Sequence, residues 1–256
     1  MLTLGAWPIL DYDDDPDDLV SRLSQSKPEE RLPERAVLAV LGQQVLAHAQ
    51  AERLRQVGVV DFVTARYPIY QIERAGRRVA LVEAPIGAAA AVMVGEFLRQ
   101  RGVRCAVAVG SCGALRPFDE GVFITPVRAL RAEGVSHHYL PPGEWVETDA
   151  AVRAACLSAI RGRGHEGVEA DTWTTDGFYR ETPALLAHRI AQGCSVVEME
   201  CAAWAAWALF RGVRFGQILF TADSLAGETY DARDWGVGSH EVALRMAIDA
   251  AFGLED

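Results

Sequence analysis

The stretch CAVAVGSCGAL, residues 105–115, decides the fold class. It starts as a continuous apolar run and ends in glycines at 110 and 113, with Ser111 between them. An unbroken apolar run that stops at glycine is typical of a central strand covered on both faces. Such strands belong to sheets with helices on both sides, so this stretch predicts an α/β protein.

Apolar runs alternate with helical stretches on both sides of this strand. The predicted strands are AVLAVL (36–41), VVDFVT (59–64), YPIYQIE (67–73), RRVALVEA (77–84), GVFITPVRALRA (121–132) and segments at 168–175, 196–197 and 215–221. The predicted helices cover 43–56, 87–100, 150–161, 183–190, 199–210 and 241–252. Strands separated by helices predict a mixed, largely parallel sheet in one domain, residues 36–256.

Composition limits the classes of partner. The chain has 256 residues, of which 50% are hydrophobic, so a large core is expected. Its formal net charge of −10 argues against nucleic acid, and no apolar run approaches the roughly 20 residues that span a bilayer. The first ten residues lack the basic start of a signal peptide, which predicts a cytoplasmic protein. Five cysteines without metal-binding spacing are expected to be reduced and buried.

Residues 1–35 are expected to form an acidic N-terminal arm. Its segment DYDDDPDD, residues 11–18, contains six aspartates in eight positions. We expect a solvated arm, since the run lacks the glycine and the distal glutamate of a calcium loop.

Ligands of α/β sheets bind beyond the carboxyl ends of the strands, so the residues that follow each strand are the candidates for chemistry. In GSCGAL, glycines let a ligand approach the backbone, and Ser111 with neighbouring N–H groups can hold an oxyanion. A tight strand exit with a buried serine is an equal alternative. Gly42, Ile86 and Gly87 follow two other strands.

Two glutamates precede the apolar helix within VVEMECAAWAAWALF, residues 196–210. A carboxylate at a helix start interacts favourably with the helix dipole, and this is the preferred interpretation of Glu198. A second buried charge needs a partner of its own. A sugar diol that donates two hydrogen bonds is such a partner, so Glu200 is the candidate for sugar binding.

Asp223 follows the apolar strand FGQILF in the segment TADS, residues 221–224. It is either a helix cap or a site group; burial beside a ligand would raise its pKa and make it a general acid. Arg233 is a candidate partner that would modulate this protonation. In TTDGFY, residues 174–179, Phe178 or Tyr179 can stack on a planar base, although such aromatics usually only pack.

Taken in order, five segments resemble the nucleoside phosphorylase superfamily, which contains purine nucleoside phosphorylases, uridine phosphorylases and methylthioadenosine nucleosidases. The segments are AVGSCGAL (108–115), EGVSHHYLPP (133–142), TTDGFY, VVEMECAA (196–203) and TADS. The resemblance covers about residues 36–252. It implies a single-domain three-layer sandwich around a mixed, distorted sheet, assembled as a homo-oligomer such as a dimer or hexamer.

The activity implied by the resemblance is cleavage of an N-glycosidic bond in a nucleoside, with phosphate as co-substrate and no other cofactor or metal. The catalytic residues implied are Asp223, which would protonate N7 of a purine, and its partner Arg233. The residues implied for nucleoside binding are Glu200 and Met199 at the ribose, Phe178 at the base, and Ile86 and Val197. The phosphate-binding residues implied are Ser111, Gly42 and Arg66, the last from across a dimer interface.

The chain departs from the family pattern at two phosphate-binding arginines, where it has Leu46 and Ala108. Each lost contact removes roughly 1.5–3 kcal/mol of anion binding. The nucleosidases of the superfamily use a glutamate after the first strand, but this chain has Gln43 and Gln44 there. Three interpretations remain, in order: a phosphorylase, a hydrolase, and a nucleoside-binding protein with reduced catalysis.

Overall fold

The computed structural model describes residues 1–20, 31–227 and 229–254. The predicted acidic arm lies partly outside these residues. Within them, the strands are β1 (Leu2–Thr3), β2 (Tyr12–Asp13), β3 (Arg35–Val40), β4 (Arg55–Asp61), β5 (Arg66–Arg74), β6 (Arg77–Glu83), β7 (Cys105–Ala114), β8 (Phe123–Ala132), β9 (Trp145–Glu147), β10 (Gly167–Thr175), β11 (Val196–Glu198) and β12 (Arg214–Ser224).

The α-helices of the described residues are α1 (Gln44–Ala51), α2 (Ala88–Gln100), α3 (Ser136–Tyr139), α4 (Ala150–Gly162), α5 (Pro183–Ala191), α6 (Cys201–Arg211) and α7 (His240–Gly253). Local chemistry fixes several of their ends. The Asp149 carboxylate accepts the N–H groups of Ala151 and Val152 at the start of α4, and Gly212 ends α6 in a left-handed conformation. None of these helices is long and apolar enough to cross a membrane.

The predicted helix over 43–56 is too long. α1 ends at Ala51, and the chain turns at Arg53, whose φ is +50°, before β4 begins at Arg55. Residues in this left-handed region interrupt a helix. The predicted helix over 199–210 likewise begins later, at Cys201.

The strands β3 to β12 form one sheet of ten strands in the described residues, in the order β11, β10, β8, β12, β7, β3, β6, β5, β4, with β9 beside β8. The sheet is mixed, as predicted, but less parallel than predicted. β4, β5 and β6 form an antiparallel meander. A tight turn at Ala75 and Gly76, both with positive φ, joins β5 to β6, and such short connections require antiparallel strands.

Helices cover both faces of the sheet, which gives the three layers that the resemblance implied. Side chains of β3 alternate between the two faces: Ala36 and Leu38 pack in the core with α2 and α6, whereas Val37 and Ala39 pack with α1, α4 and α7. The central strand β7 is buried along almost its whole length, as its apolar sequence predicts. All five cysteines are buried and unpaired.

One end of the sheet curls into a closed ring. β11 pairs in parallel with β10 and also antiparallel with β7, where Val196 and Val197 lie opposite Ala114 and Gly113. The ring therefore runs β7, β12, β8, β10, β11 and back to β7. This closure brings the segments VVEMECAA and GSCGAL side by side.

The described part of the N-terminal arm is folded against the domain. β1 and β2 pair with each other, and β2 packs near α3. Arg211, at the end of α6, donates to the Pro16 carbonyl and lies 3.5 Å from the Asp18 carboxylate. The boundary between arm and domain at residue 36 stays a prediction.

Candidate active site

A cavity of about 450 Å³ opens beside the ring of strands. We call it the main cavity. Its walls come from the ends of β3, β7, β11 and β12, from the segments after β6 and β10, and from the turn before α7. The lining residues are Val40, Ile86, Gly110, Ser111, Cys112, Gly113, Phe178, Tyr179, Glu181, Val197, Glu198, Met199, Glu200, Asp223 and Trp235.

The structure thus brings seven of the predicted site residues to one cavity. They are Ile86, Ser111, Phe178, Val197, Met199, Glu200 and Asp223. The roles inferred for them remain predictions.

Close packing of β7, β11 and β12 requires glycine at position 113. A Cβ atom there would lie 2.8 Å from Leu225 Cδ1, 3.0 Å from Val197 Cγ1 and 3.3 Å from Asp223 Oδ1. The missing side chain therefore makes room for neighbouring residues of the protein, in addition to leaving the cavity open.

Glu198 is tied into the protein by its hydrogen bonds. Its Oε2 accepts the N–H groups of Glu200, at 2.7 Å, and Cys201, at 2.6 Å. Its Oε1 accepts the Thr174 hydroxyl at 2.5 Å. Burial raises the pKa of Glu198, and these hydrogen bonds oppose that shift. The side chain caps the start of α6, in agreement with the structural interpretation of this residue.

Glu200 is available to a ligand. Its Oε1 accepts the Gly87 N–H at 2.5 Å, and the residue is only 5% exposed at the wall of the main cavity. Burial, and then the charge of Glu198, raise the pKa of Glu200. A ligand that donates hydrogen bonds to this carboxyl group would favour its charged form.

We expect Glu198→Ala to destabilise the fold. The substitution leaves the buried N–H groups of Glu200 and Cys201 without an acceptor, and a buried unsatisfied donor costs about 1–3 kcal/mol. The free energy of unfolding, measured by urea denaturation, should fall by this amount. Glu198→Gln keeps an acceptor oxygen and should lose less. Equal stability of Glu198→Ala and the wild type would contradict the capping role.

Asp223 lies within β12, beyond a register shift between Thr221 and Asp223 in the pairing with β7. Burial raises its pKa, whereas a hydrogen bond with the Tyr230 side chain lowers it. Arg233, predicted as the partner of Asp223, is only a weak influence on that pKa. Its guanidinium group bonds the Phe118 carbonyl at 2.9 Å and Asp231 at 3.3 Å, and it lines neither cavity.

Aromatic rings form the wall on the side of Phe178. This residue packs edge to face against Tyr179, with ring centroids 5.1 Å apart, and lies 6.4 Å from the ring of Trp235. All three rings line the main cavity. An apolar wall of this kind suits a planar base.

A second cavity, of about 430 Å³, shares Val40, Ser111 and Trp235 with the first. We call it the side cavity. Its other lining residues are Leu41, Gly42, Gln43, Gln44 and His240. Ser111 is exposed between buried neighbours, so the alternative of a buried serine is wrong. No lysine or arginine of the described residues lines either cavity.

The positions considered for phosphate binding are scattered. Gly42 and Ser111 meet at the side cavity. Arg66 does not reach it; the side chain is exposed at the start of β5 and lies 3.3 Å from Asp61. Leu46 is partly exposed on α1, and Ala108 is fully buried in the core between sheet and helices.

The sequence analysis missed four residues at or beside the two cavities: Glu181, Tyr230, Trp235 and His240. Glu181 lines the main cavity, where burial and the charge of Asp223 raise its pKa to about 7. Trp235 and His240 belong to the segment RDWGVGSH, residues 233–240. Two aromatic side chains between two glycines in a loop were a usable signal, but no periodicity drew attention to them.

Comparisons with known proteins agree with the site. A family model described as the phosphorylase superfamily matches residues 34–250. A DeoD-type purine nucleoside phosphorylase of Jannaschia sp. (strain CCS1) is 25% identical over 171 residues, which cover 63% of this chain and 70% of that protein. A uridine phosphorylase of Haemophilus influenzae is 28% identical over 109 residues, which cover 41% of this chain and 42% of that protein.

Solved structures share the fold. An AMP nucleosidase from Bacteroides thetaiotaomicron superposes with a TM-score of 0.69 and 22% identity, covering 86% of this chain and 88% of that one. A purine nucleoside phosphorylase from Toxoplasma gondii, solved with immucillin-H, has a TM-score of 0.72 and 19% identity, covering 88% of this chain and 92% of that one. The family resemblance and the fold class predicted from the sequence are thus confirmed.

Proposed function

This chain belongs to the phosphorylase superfamily, and on that premise we propose that it cleaves the N-glycosidic bond of a purine nucleoside in the main cavity, with water as the attacking group. One observation carries the cleavage: Glu200 and Asp223, two buried carboxyl groups with raised pKa, line the same cavity. Glu200 suits the ribose hydroxyls, with Met199, Val197 and Ile86 around the sugar.

Asp223 suits the leaving base. Its raised pKa keeps part of the carboxyl population protonated near neutral pH, so it can donate a proton to N7 as the bond breaks. Phe178, Tyr179 and Trp235 would stack against or enclose the base. The proton removes the negative charge that otherwise develops on the departing purine.

The neutral side cavity favours water over phosphate. Transfer of a phosphate dianion out of bulk water needs compensating charge, and the described walls around Ser111 offer only hydroxyl, amide, imidazole and backbone groups. Water needs only hydrogen bonds, which Ser111, Gln43 and Gln44 can supply.

Phosphorolysis, the first choice from the sequence, is the second candidate. Arg66 favours it, because an exposed arginine at the start of β5 can reach the side cavity of another subunit in a homo-oligomer. Phosphate would then be the co-substrate and ribose 1-phosphate the product. The Ser111 hydroxyl and the backbone N–H groups after Gly42 would complete the anion site.

The experiment is to incubate the protein with a panel of purine and pyrimidine nucleosides, with and without phosphate, and to quantify free base, ribose and ribose 1-phosphate. Hydrolysis predicts equal rates of base release in both buffers and free ribose as product. Thermal stabilisation by nucleosides without any product would identify a binding protein and overturn the proposal.

Arg66→Ala tests the second candidate. If phosphate is the co-substrate, the variant should lose activity, and the wild type should have a high phosphate KM that rises with salt because the site is weakly charged. Arg78→Ala, on the neighbouring strand β6, is a matched control. Under hydrolysis both variants should release base at the wild-type rate. Tight phosphate dependence that survives Arg66→Ala would place the anion site elsewhere.

A further inference from the structure

His240 lies at the side cavity, on the same face of the sheet as Ser111. It is the first residue of α7 and lines the cavity together with Gly42, Gln43 and Gln44. Neither glutamine can accept a proton from water, so His240 is the only titratable side chain among the described lining residues of this cavity.

The position of the ring is fixed by packing. His240 contacts the ring of Phe220, with centroids 5.3 Å apart. Phe220, on β12, lies directly opposite Ser111 on the parallel strand β7, so the two side chains point to the same side of the sheet. The imidazole is therefore held beside the residue that joins the two cavities.

The turn before α7 is pressed against β12. Asp234, Trp235 and Gly236 all have positive φ, and a Cβ atom at Gly236 would lie 2.9 Å from Phe220 Cε2. Only glycine allows this approach without displacement of its neighbours. The close contact sets where α7 starts and thus where His240 points.

The ring is suited to accept a proton. Burial lowers the pKa of His240, and a hydrogen bond with the backbone of Trp235 opposes this shift. The imidazole is therefore neutral at neutral pH, and a backbone bond to one nitrogen leaves the other free as an acceptor. The nearest charged groups on its own helix, Glu241 and Arg245, pair with each other at 3.0 Å.

We propose that His240 is the general base of the hydrolysis: its free ring nitrogen accepts a proton from the attacking water, which the Ser111 hydroxyl and a glutamine amide hold in the side cavity. The inference rests on the proposed function and adds the residue that activates its nucleophile. It accounts for a site with neither the phosphate arginines nor the glutamate base of its relatives.

The step balances. The C1′–N9 bond breaks and its electron pair leaves with the purine, whose N7 takes the proton of Asp223. The water oxygen bonds to C1′ and its proton passes to His240. Transfer of a proton from His240 to solvent and from solvent to Asp223 restores the enzyme, so that nucleoside and water give free base and ribose.

The test compares His240→Gln with His48→Gln, the same substitution on α1 away from both cavities. Base release is measured without phosphate, in water enriched in oxygen-18, and nucleoside affinity is measured by calorimetry. We expect kcat of His240→Gln to fall about 10²–10⁴-fold while nucleoside Kd changes less than threefold. His48→Gln should match the wild type, and the oxygen-18 label should enter ribose C1.

A second variant guards against a merely structural effect. His240→Ala should be slow but should recover at least tenfold in rate when free imidazole is added, because the small base can occupy the vacated space. An unchanged kcat in His240→Gln overturns the inference alone. Parallel losses of kcat, nucleoside affinity and thermal stability without imidazole rescue also overturn it. Strict phosphate dependence of the wild type, or no turnover at all, overturns the proposed hydrolysis and this inference together.

Discussion

Asp223→Asn should slow base release from a natural purine nucleoside about 10²–10⁴-fold, the usual contribution of a general acid. The amide keeps the shape of the carboxyl group but has no proton of suitable acidity. The site of Asp223 in the main cavity and its raised pKa are the reasons for this expectation. The measurement is the steady-state rate of base release with the preferred nucleoside.

A 7-methylated purine nucleoside provides the decisive comparison for Asp223. Its base is already cationic and leaves without protonation, so Asp223→Asn should cost it far less. Asp231→Asn, at an exposed neighbouring carboxylate, is the matched control and should behave as the wild type. Equal losses on both substrates would reject the role of Asp223 as an acid and leave it a structural or binding role.

Glu200→Gln should reduce kcat/KM for a ribonucleoside by about 10–150-fold, which corresponds to the roughly 1.5–3 kcal/mol of hydrogen bonds to a charged group. The amide retains an oxygen that can accept the Gly87 N–H, so the local fold should survive. Glu181→Gln, the same substitution at the base side of the cavity, serves as a control for the sugar-specific effect.

The ligand can be varied in the same way as the protein. On a nucleoside that lacks the ribose 2′-hydroxyl, the difference between wild type and Glu200→Gln should shrink. Because the pKa of Glu200 is raised in the free protein, a ligand that ionises it should release protons near neutral pH. Calorimetry in buffers of different ionisation enthalpy should detect this release in the wild type and a smaller one in Glu200→Gln. An unchanged kcat/KM would reject the sugar-binding role.

The sequence by itself determined the α/β class, because local pattern is sufficient for it. The apolar run of β7 and the alternation of strands and helices depend only on neighbouring residues, and the predicted elements match the observed ones apart from errors at their ends. The glutamate and aspartate candidates followed from a local argument too: a carboxyl group in an apolar segment needs a partner. Seven of the predicted residues accordingly line one cavity.

The tertiary structure alone decided how the site is closed. No local pattern indicates that β11 pairs with β7 as well as β10, yet that pairing places Glu200 beside Ser111 and Asp223. Trp235 and His240 reach the cavities because Gly236 lets their turn press on β12. Strand pairing and loop packing depend on contacts between residues far apart in the chain, so they minimise a free energy of the whole fold that no single segment encodes.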